Sequence, residues 1–149
     1  MSVYETIVCS EPAPHVLQIT LNRPEVLNAL NTKMGEELGA IFQQYAKDPE
    51  DVRCVILTGA GDTAFCAGGD LKERDGMSND AWLAQHAIFE RFYFAMVEFS
   101  LPIICAANGH AFGGGLEMVL AADFAYGVPS AKFALTETKL GIMPGGGGT

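Results

Sequence analysis

Residues 103–117 read Ile103-Ile104-Cys105-Ala106-Ala107-Asn108-Gly109-His110-Ala111-Phe112-Gly113-Gly114-Gly115-Leu116-Glu117. The first five are short and apolar without a break, the pattern of a strand buried on both faces. The glycines that follow open a loop, and Leu116 to about Ala122 has the apolar density of a buried helix. Strand, glycine loop and helix in that order are the signature of an α/β chain.

The same order recurs upstream. Cys54 to Leu57 is a second continuous apolar run, closed by Thr58-Gly59, and Gly59 to Gly69 reads as loop. Val16 to Leu21 alternates as a strand and stops at the turn signal Asn22-Arg23-Pro24, with Tyr4 to Cys9 as its hairpin partner. Met34, Leu38, Ile41, Phe42 and Tyr45 recur at helical spacing, in a helix that ends before Pro49. A second helix spans Asn79 to about Glu98, with Ser78 as N-cap and Trp82, Phe89, Phe92, Tyr93, Met96 and Val97 along it. Phe124-Ala125-Tyr126 and Lys132-Phe133-Ala134 read as short strands. Repeated β-β-α or β-α turns are therefore expected.

The chain has 149 residues, 49% of them hydrophobic, which fits one domain with a real core and excludes wholesale disorder. Its net charge of −9 argues against a general nucleic-acid backbone binder, which needs clustered Lys and Arg. Cys9, Cys54, Cys66 and Cys105 form no C-x-x-C pair, and most sit in apolar runs, so a reducing, cytoplasmic setting is expected. No basic stretch followed by a long apolar run marks a leader, and no apolar stretch reaches the roughly 20 residues of a membrane helix. His15, His86 and His110 lack metal-ligand spacing, so no metal is expected. The closing run Gly145 to Gly148 reads as a loop leading into a further element.

Two glycine loops follow buried strands: Phe65-Cys66-Ala67-Gly68-Gly69-Asp70-Leu71-Lys72 and Gly113-Gly114-Gly115-Leu116-Glu117. Brought together, they offer two backbone N–H donors to one developing oxyanion, the second reinforced by a helix N-terminus. The plainer reading is that the glycines only permit close strand–helix packing. Neither a dinucleotide fingerprint nor a phosphate loop is present. Glu117 lies in an apolar helix and Glu137 just before another glycine-rich turn. Two carboxylates facing one cavity do acid and base work on one substrate. Taken singly, Glu117 reads as a solvated helix-surface residue and Glu137 as a partner of Lys132 or Lys139. Cys66 and the Phe89, Phe92, Tyr93, Met96 stripe read first as packing, the stripe also as an acyl-pocket wall. Asp70 reads as a structural residue that orients the first loop.

Together these motifs resemble the crotonase superfamily, the enoyl-CoA hydratase/isomerase family. The resemblance rests on Asn22-Arg23-Pro24 with Leu27 to Leu30, Ala64 to Glu73, Pro102-Ile103 with Ala107 to Glu117, Ala122-Asp123, and Glu137 to Thr149. It implies a crotonase-like (ClpP/crotonase) spiral of β-β-α units. Residues 1–149 would form its N-terminal core, without the C-terminal helices that complete the acyl pocket and build the trimer. It implies that the Gly69 and Gly114 amides form the oxyanion hole and that Glu117 and Glu137 are the catalytic acids. It places Arg23, Val26 and Asn28, and the run Ala67, Gly68, Gly69, Asp70, Leu71 and Lys72, beside an acyl-CoA. Lys72 becomes a candidate cation for the CoA. The implied activity is reversible hydration of a 2-enoyl-CoA. The alternatives are a double-bond isomerase or other CoA-thioester enzyme on the same scaffold, or a non-catalytic or split subunit that needs a second chain. CoA would arrive as part of the substrate, with no separate cofactor. The implied partners are the acyl-CoA and a homo-oligomer, trimer or dimer of trimers, or a second subunit.

Overall fold

A computed structural model describes residues 4–149. Strands β1 (Ile7–Ala13) and β2 (Val16–Leu21) form an antiparallel hairpin, followed by helix α1 (Thr32–Lys47). Strands β3 (Cys54–Gly59) and β4 (Ala64–Cys66) then lead into the short helix α2 (Leu71–Arg74) and the long helix α3 (Asn79–Val97). Next come β5 (Ile103–Ala107), β6 (His110–Phe112), helix α4 (Gly114–Ala121), β7 (Phe124–Gly127) and β8 (Phe133–Ala134).

The strands divide between two sheets. One has the order β1-β2-β3-β5-β7, the other β4-β6-β8. Beyond the hairpin every pairing is parallel. Each successive strand pair thus gives its first strand to the large sheet and its second to the small one. A helix carries the chain on to the next pair. This is the β-β-α spiral that the resemblance implies.

The interior is built from the faces that the sequence periodicity marks. Ile19, Leu21, Val55, Leu57, Ile103 and Cys105 alternate inward along the large sheet, and Met34, Leu38, Ile41 and Phe42 form the buried stripe of α1. Helix α3 lies against α1. A side chain at Gly35 would begin 2.7 Å from the Phe89 ring, so the glycine is what lets the aromatic ring seat there. The N-caps are conventional: Asn31 Oδ1 accepts from Met34 N at 3.0 Å, and Ser78 Oγ from Ala81 N at 3.2 Å.

Several expectations are corrected. The first strand runs over Ile7–Ala13 rather than Tyr4 to Cys9. As an edge strand exposed over much of its length, it tolerates polar Ser10 and Glu11 and an irregularity between Ser10 and Ala13. The stretches read as loop between Gly59 and Gly69 and between Asn108 and Gly115 contain β4 and β6. Three residues are too few to display a period. Helix α4 begins at Gly114, two residues before Leu116, and α2 was not foreseen.

Candidate active site

The two glycine loops meet because of strand register. Parallel strands β4 and β6 pair Cys66 with Ala111. Gly69 lies three residues beyond Cys66, and Gly114 three residues beyond Ala111. Parallel pairing sends both chains out of the sheet at the same end. The loops therefore arrive side by side: a Cβ on Gly68 would sit 2.9 Å from Phe112 O and 3.6 Å from Gly114 N. Gly68 has φ +96, a left-handed conformation suited to glycine, so both its backbone and this approach require the residue. Gly115 backs directly onto the Cys66 carbonyl, with no room for a side chain.

Backbone hydrogen bonding in the first loop singles out one amide. Ala67 N donates to Leu27 O at 3.0 Å, Gly68 N to Cys66 Sγ at 3.4 Å, and Asp70 N to Leu30 O at 2.8 Å. Gly68 O in turn accepts from Leu30 N at 2.8 Å. Among the described residues, the Gly69 N–H has no acceptor, alone within 67–70. In the second loop Gly113 N donates to Ala134 O at 2.9 Å. The Gly114 N–H opens α4 and has no acceptor among the described residues, one of the orphan donors of a helix start. Gly69 and Gly114 are both half-buried, between buried neighbours.

Both carboxylates converge on the second loop. Glu117 is 4% exposed, not a solvated surface residue. Its Oε1 accepts from Gly146 N at 2.6 Å and Gly148 N at 3.0 Å, so the closing glycine run folds back over α4. Its Oε2 lies 3.9 Å from where a Gly114 Cβ would be. Glu137, on a 3₁₀ turn over Thr136–Leu140, places Oε1 3.1 Å from a would-be Gly113 Cβ. Its Oε2 is buried without a hydrogen-bond partner, and no ion pair joins Glu137 to Lys132 or Lys139. An orphan buried acceptor costs about 1–3 kcal/mol unless water or a ligand meets it.

The segment expected beside CoA splits into two groups. Arg23 Nη1 donates to Ala29 O at 2.7 Å and pairs with Asp70 Oδ2 at 2.9 Å. Asp70 Oδ1 caps α2 by accepting from Lys72 N and Glu73 N, at 3.1 and 3.3 Å. Burial alone would raise the Asp70 carboxyl, but the Arg23 bond and the two capping amides bring it below its usual value. Asn28 is fully buried. It bonds Ala60 O and Ala64 O through Nδ2 and takes the Arg23 N–H on Oδ1. These three side chains fix the loop from beneath. Leu71 and Lys72 are exposed, and Ala67 and Val26 are half-buried.

Tyr93 belongs to the site as well. The stripe reads as core and the Tyr93 ring is buried, yet its hydroxyl donates to Gly114 O at 2.6 Å. Burial pushes the phenol well above its usual pKa. The negative charge that Cys66, Glu117 and Glu137 would carry pushes the same way, so it stays a donor. No sequence signal separates it from the aromatic stripe. Cys66 is no nucleophile: buried, with its thiol pushed up to about 12 by desolvation, it packs as a small hydrophobe. A cavity of about 470 Å³ lined by Tyr4, Cys9, His15, Tyr45 and Glu50 shares no residue with this constellation.

Known proteins are similar to this chain in sequence and in fold. The family model described as enoyl-CoA hydratase/isomerase matches residues 11–149. A putative enoyl-CoA hydratase/isomerase of Bacillus subtilis is 42% identical over 145 residues, covering 97% of this chain and 55% of that protein. A carnitinyl-CoA dehydratase of Escherichia coli K12 is 44% identical over 137 residues, covering 89% of this chain and 50% of its own length. The crystal structure of an enoyl-CoA hydratase from Bacillus anthracis superposes with a TM-score of 0.92 at 42% identity, over 97% of this chain and 55% of that one. The chain thus spans about half the length of the relatives it matches.

Proposed function

The chain belongs to the enoyl-CoA hydratase/isomerase family, and from that we propose that it supplies the site for reversible addition of water across the 2,3 double bond of an enoyl-CoA thioester. The observation that carries the reading is the pair of acceptor-free amides, Gly69 N–H and Gly114 N–H, on adjacent loops beside two carboxylates.

In this mechanism the thioester oxygen accepts from both amides. Water attacks C3, and the electron pair of the double bond moves toward C2 and the carbonyl, which gains enolate character. The fixed N–H dipoles and the start of α4 stabilise that charge without reorganising. Loss of one oxyanion donor typically costs about 2.7–4 kcal/mol of barrier. Glu117 and Glu137 hold the water between them, remove one proton from it and return a proton to C2, so the oxygen ends on C3 and hydrogen on C2. Two features support their pairing. Among the described residues, Glu117 is anchored through Oε1 with no donor on Oε2, and Glu137 Oε2 has no partner. CoA enters as part of the substrate, with exposed Lys72 beside the loop as a candidate for its anionic groups. Self-association into trimers accompanies the reading and is checked by mass measurement in solution.

The test is Glu137→Gln in the natural full-length protein with crotonyl-CoA. General acid–base catalysis contributes about 10²–10⁴-fold, so kcat should fall at least a hundredfold. Hydration near the parent rate rejects the role. Product analysis on 2-enoyl and 3-enoyl thioesters separates hydration from isomerisation.

A further inference from the structure

Helix α3 reaches both glycine loops from one face. Gln85, Phe89 and Tyr93 are spaced four residues apart, a single stripe about 12 Å long at 1.5 Å per residue. At one end, Tyr93 bonds the Gly114 carbonyl. At the other, Gln85 is 2% exposed, and every polar group of its side chain is engaged. Its Nε2 donates to Thr32 Oγ1 at 2.8 Å and to Glu73 Oε2 at 2.7 Å, and its Oε1 accepts from Arg74 Nε at 2.9 Å. The Arg74 guanidinium lies over the Phe89 ring, 5.6 Å from its centroid. Its Cζ, Nη1 and Nη2 stand 3.2–3.3 Å from where a Gly69 Cβ would be. The chain of contacts from the stripe therefore ends on Gly69 and Gly114, the residues that carry the two acceptor-free amides.

A core helix has no need of this arrangement. An apolar stripe buries surface with Leu or Phe, whereas a buried Gln and a buried phenol are stable only when fully hydrogen-bonded. The glycine loops do need external support. Gly113-Gly114-Gly115 and Gly68-Gly69 have no side chains to fix their dihedrals, so the direction of each N–H is set by what holds the neighbouring peptide planes. For Gly114 the hold comes from two sides. The Gly113 carbonyl, in the same peptide plane as the Gly114 N–H, accepts from Glu117 N at 3.0 Å, and the next carbonyl accepts from Tyr93. For Gly69 the guanidinium packs against its Cα while Asp70 N and Gly68 O are tied to Leu30.

We propose that α3 is a brace for the oxyanion hole, in which Tyr93 positions the Gly114 amide and Gln85, acting through Arg74, positions the Gly69 amide. The inference rests on the hydratase reading, which gives the two amides their task. Neither Tyr93 nor Gln85 is a catalytic residue; both act through backbone that meets the thioester oxygen.

The experiment uses the natural full-length protein and its Tyr93→Phe and Gln85→Met variants. The probe is 4-(dimethylamino)cinnamoyl-CoA, whose absorbance moves to the red when its thioester carbonyl is polarised, alongside kcat and KM for crotonyl-CoA. Each variant should show a smaller red shift of the bound probe and about a tenfold lower kcat, with KM within threefold of the parent. A merely structural role lowers the melting temperature but leaves the bound spectrum of the folded enzyme unchanged. A parent-like spectrum in both variants, measured below their melting temperatures, overturns the brace. If the parent hydrates crotonyl-CoA and shifts the probe while the variants match it, only the brace falls. If the parent does neither, the hydratase reading falls and the brace with it.

Discussion

Replacing Gly115 by alanine tests whether the contact between β4 and α4 sets the site. The added methyl would meet Cys66 C and Cys66 Cβ at 2.9 Å, and the Cys66 carbonyl oxygen closer still. Ordinary contact for a Cβ begins at 3.4 Å, so the start of α4 must retreat by at least about 0.5 Å. The obstacle is backbone, which cannot rotate away. Overpacking of this kind costs typically about 1–3 kcal/mol, or roughly 2–12 °C in Tm for a chain of this size. The retreat also moves Gly114 away from the loop that follows Cys66. A displacement of about 0.5 Å is at the tolerance of a preorganised site, so kcat/KM should fall tenfold or more in protein that remains folded. Thermal unfolding followed by circular dichroism, with hydration of crotonyl-CoA below Tm, reads both effects. Gly76→Ala is the control. Gly76 has φ +74 but nothing within 4 Å, so it carries backbone strain without collision, and its variant should lose about 1–2 kcal/mol of stability with no loss of rate. A Gly115→Ala variant that melts within 1 °C of the parent and turns over at its rate would refute the reasoning.

Other consequences concern charge and thiols. Glu37 is buried, and its carboxylate accepts from Glu5 N at 2.8 Å, Thr6 N at 2.9 Å and Thr6 Oγ1 at 2.6 Å. Burial would raise its pKa, but these bonds, with Lys33, hold it below the usual value. A carboxyl depressed on folding stabilises above its unfolded pKa, about 4, and loses that contribution as pH falls through the folded value. Acid titration of Glu37→Gln should therefore show a shallower loss of stability below about pH 5 than the parent; equal slopes would count against it. Asp70→Ala removes the Arg23 pair and two capping bonds together and should cost about 1–3 kcal/mol, measured by urea unfolding. Cys66 and Cys105 are buried, with thiols pushed up to about 12, so neither should react with iodoacetamide at pH 8 until the protein is unfolded, as mass spectrometry would show.

Long elements were legible because they repeat. The α1 stripe shows a period, α3 a Ser78 cap, and β3 and β5 unbroken apolar runs long enough to stand out. Strands β4 and β6 have three residues each, and α2 has four, so nothing periodic exists to read. Their pairing brings the glycine loops together, which is why Gly69 and Gly114 could be named from motif resemblance while their adjacency had to come from the fold. Glu117 looked like a surface residue on local grounds. Its burial depends on amides 29 and 31 residues later in the chain. Tyr93 and Gln85 were hidden for other reasons: Tyr93 fits the aromatic stripe of a core helix, Gln85 looks like any polar helix residue, and only their hydrogen bonds tie them to the loops.

The β-β-α repeat explains why a two-donor site arises here at all. One repeat ends in β4 and Gly69, the next in β6 and Gly114, and parallel pairing of the two strands sets equivalent positions side by side. Repetition alone would give two identical loops, but the two are held differently. The first is tied from below by Arg23 and Asn28 on the segment after the hairpin, with Asp70 of the loop itself pairing with Arg23. The second is held by Tyr93 and opens a longer helix, whose Glu117 is in turn gripped by the glycine run at 146–148. The first loop is thus tied chiefly to the segment after the hairpin and, through Arg74, to Gln85 of α3, whereas the second depends on the glycine run that folds back over it. Changes in the closing glycine run should therefore disturb Glu117 and the start of α4 while leaving the Arg23–Asp70 pair intact, as amide hydrogen exchange would show.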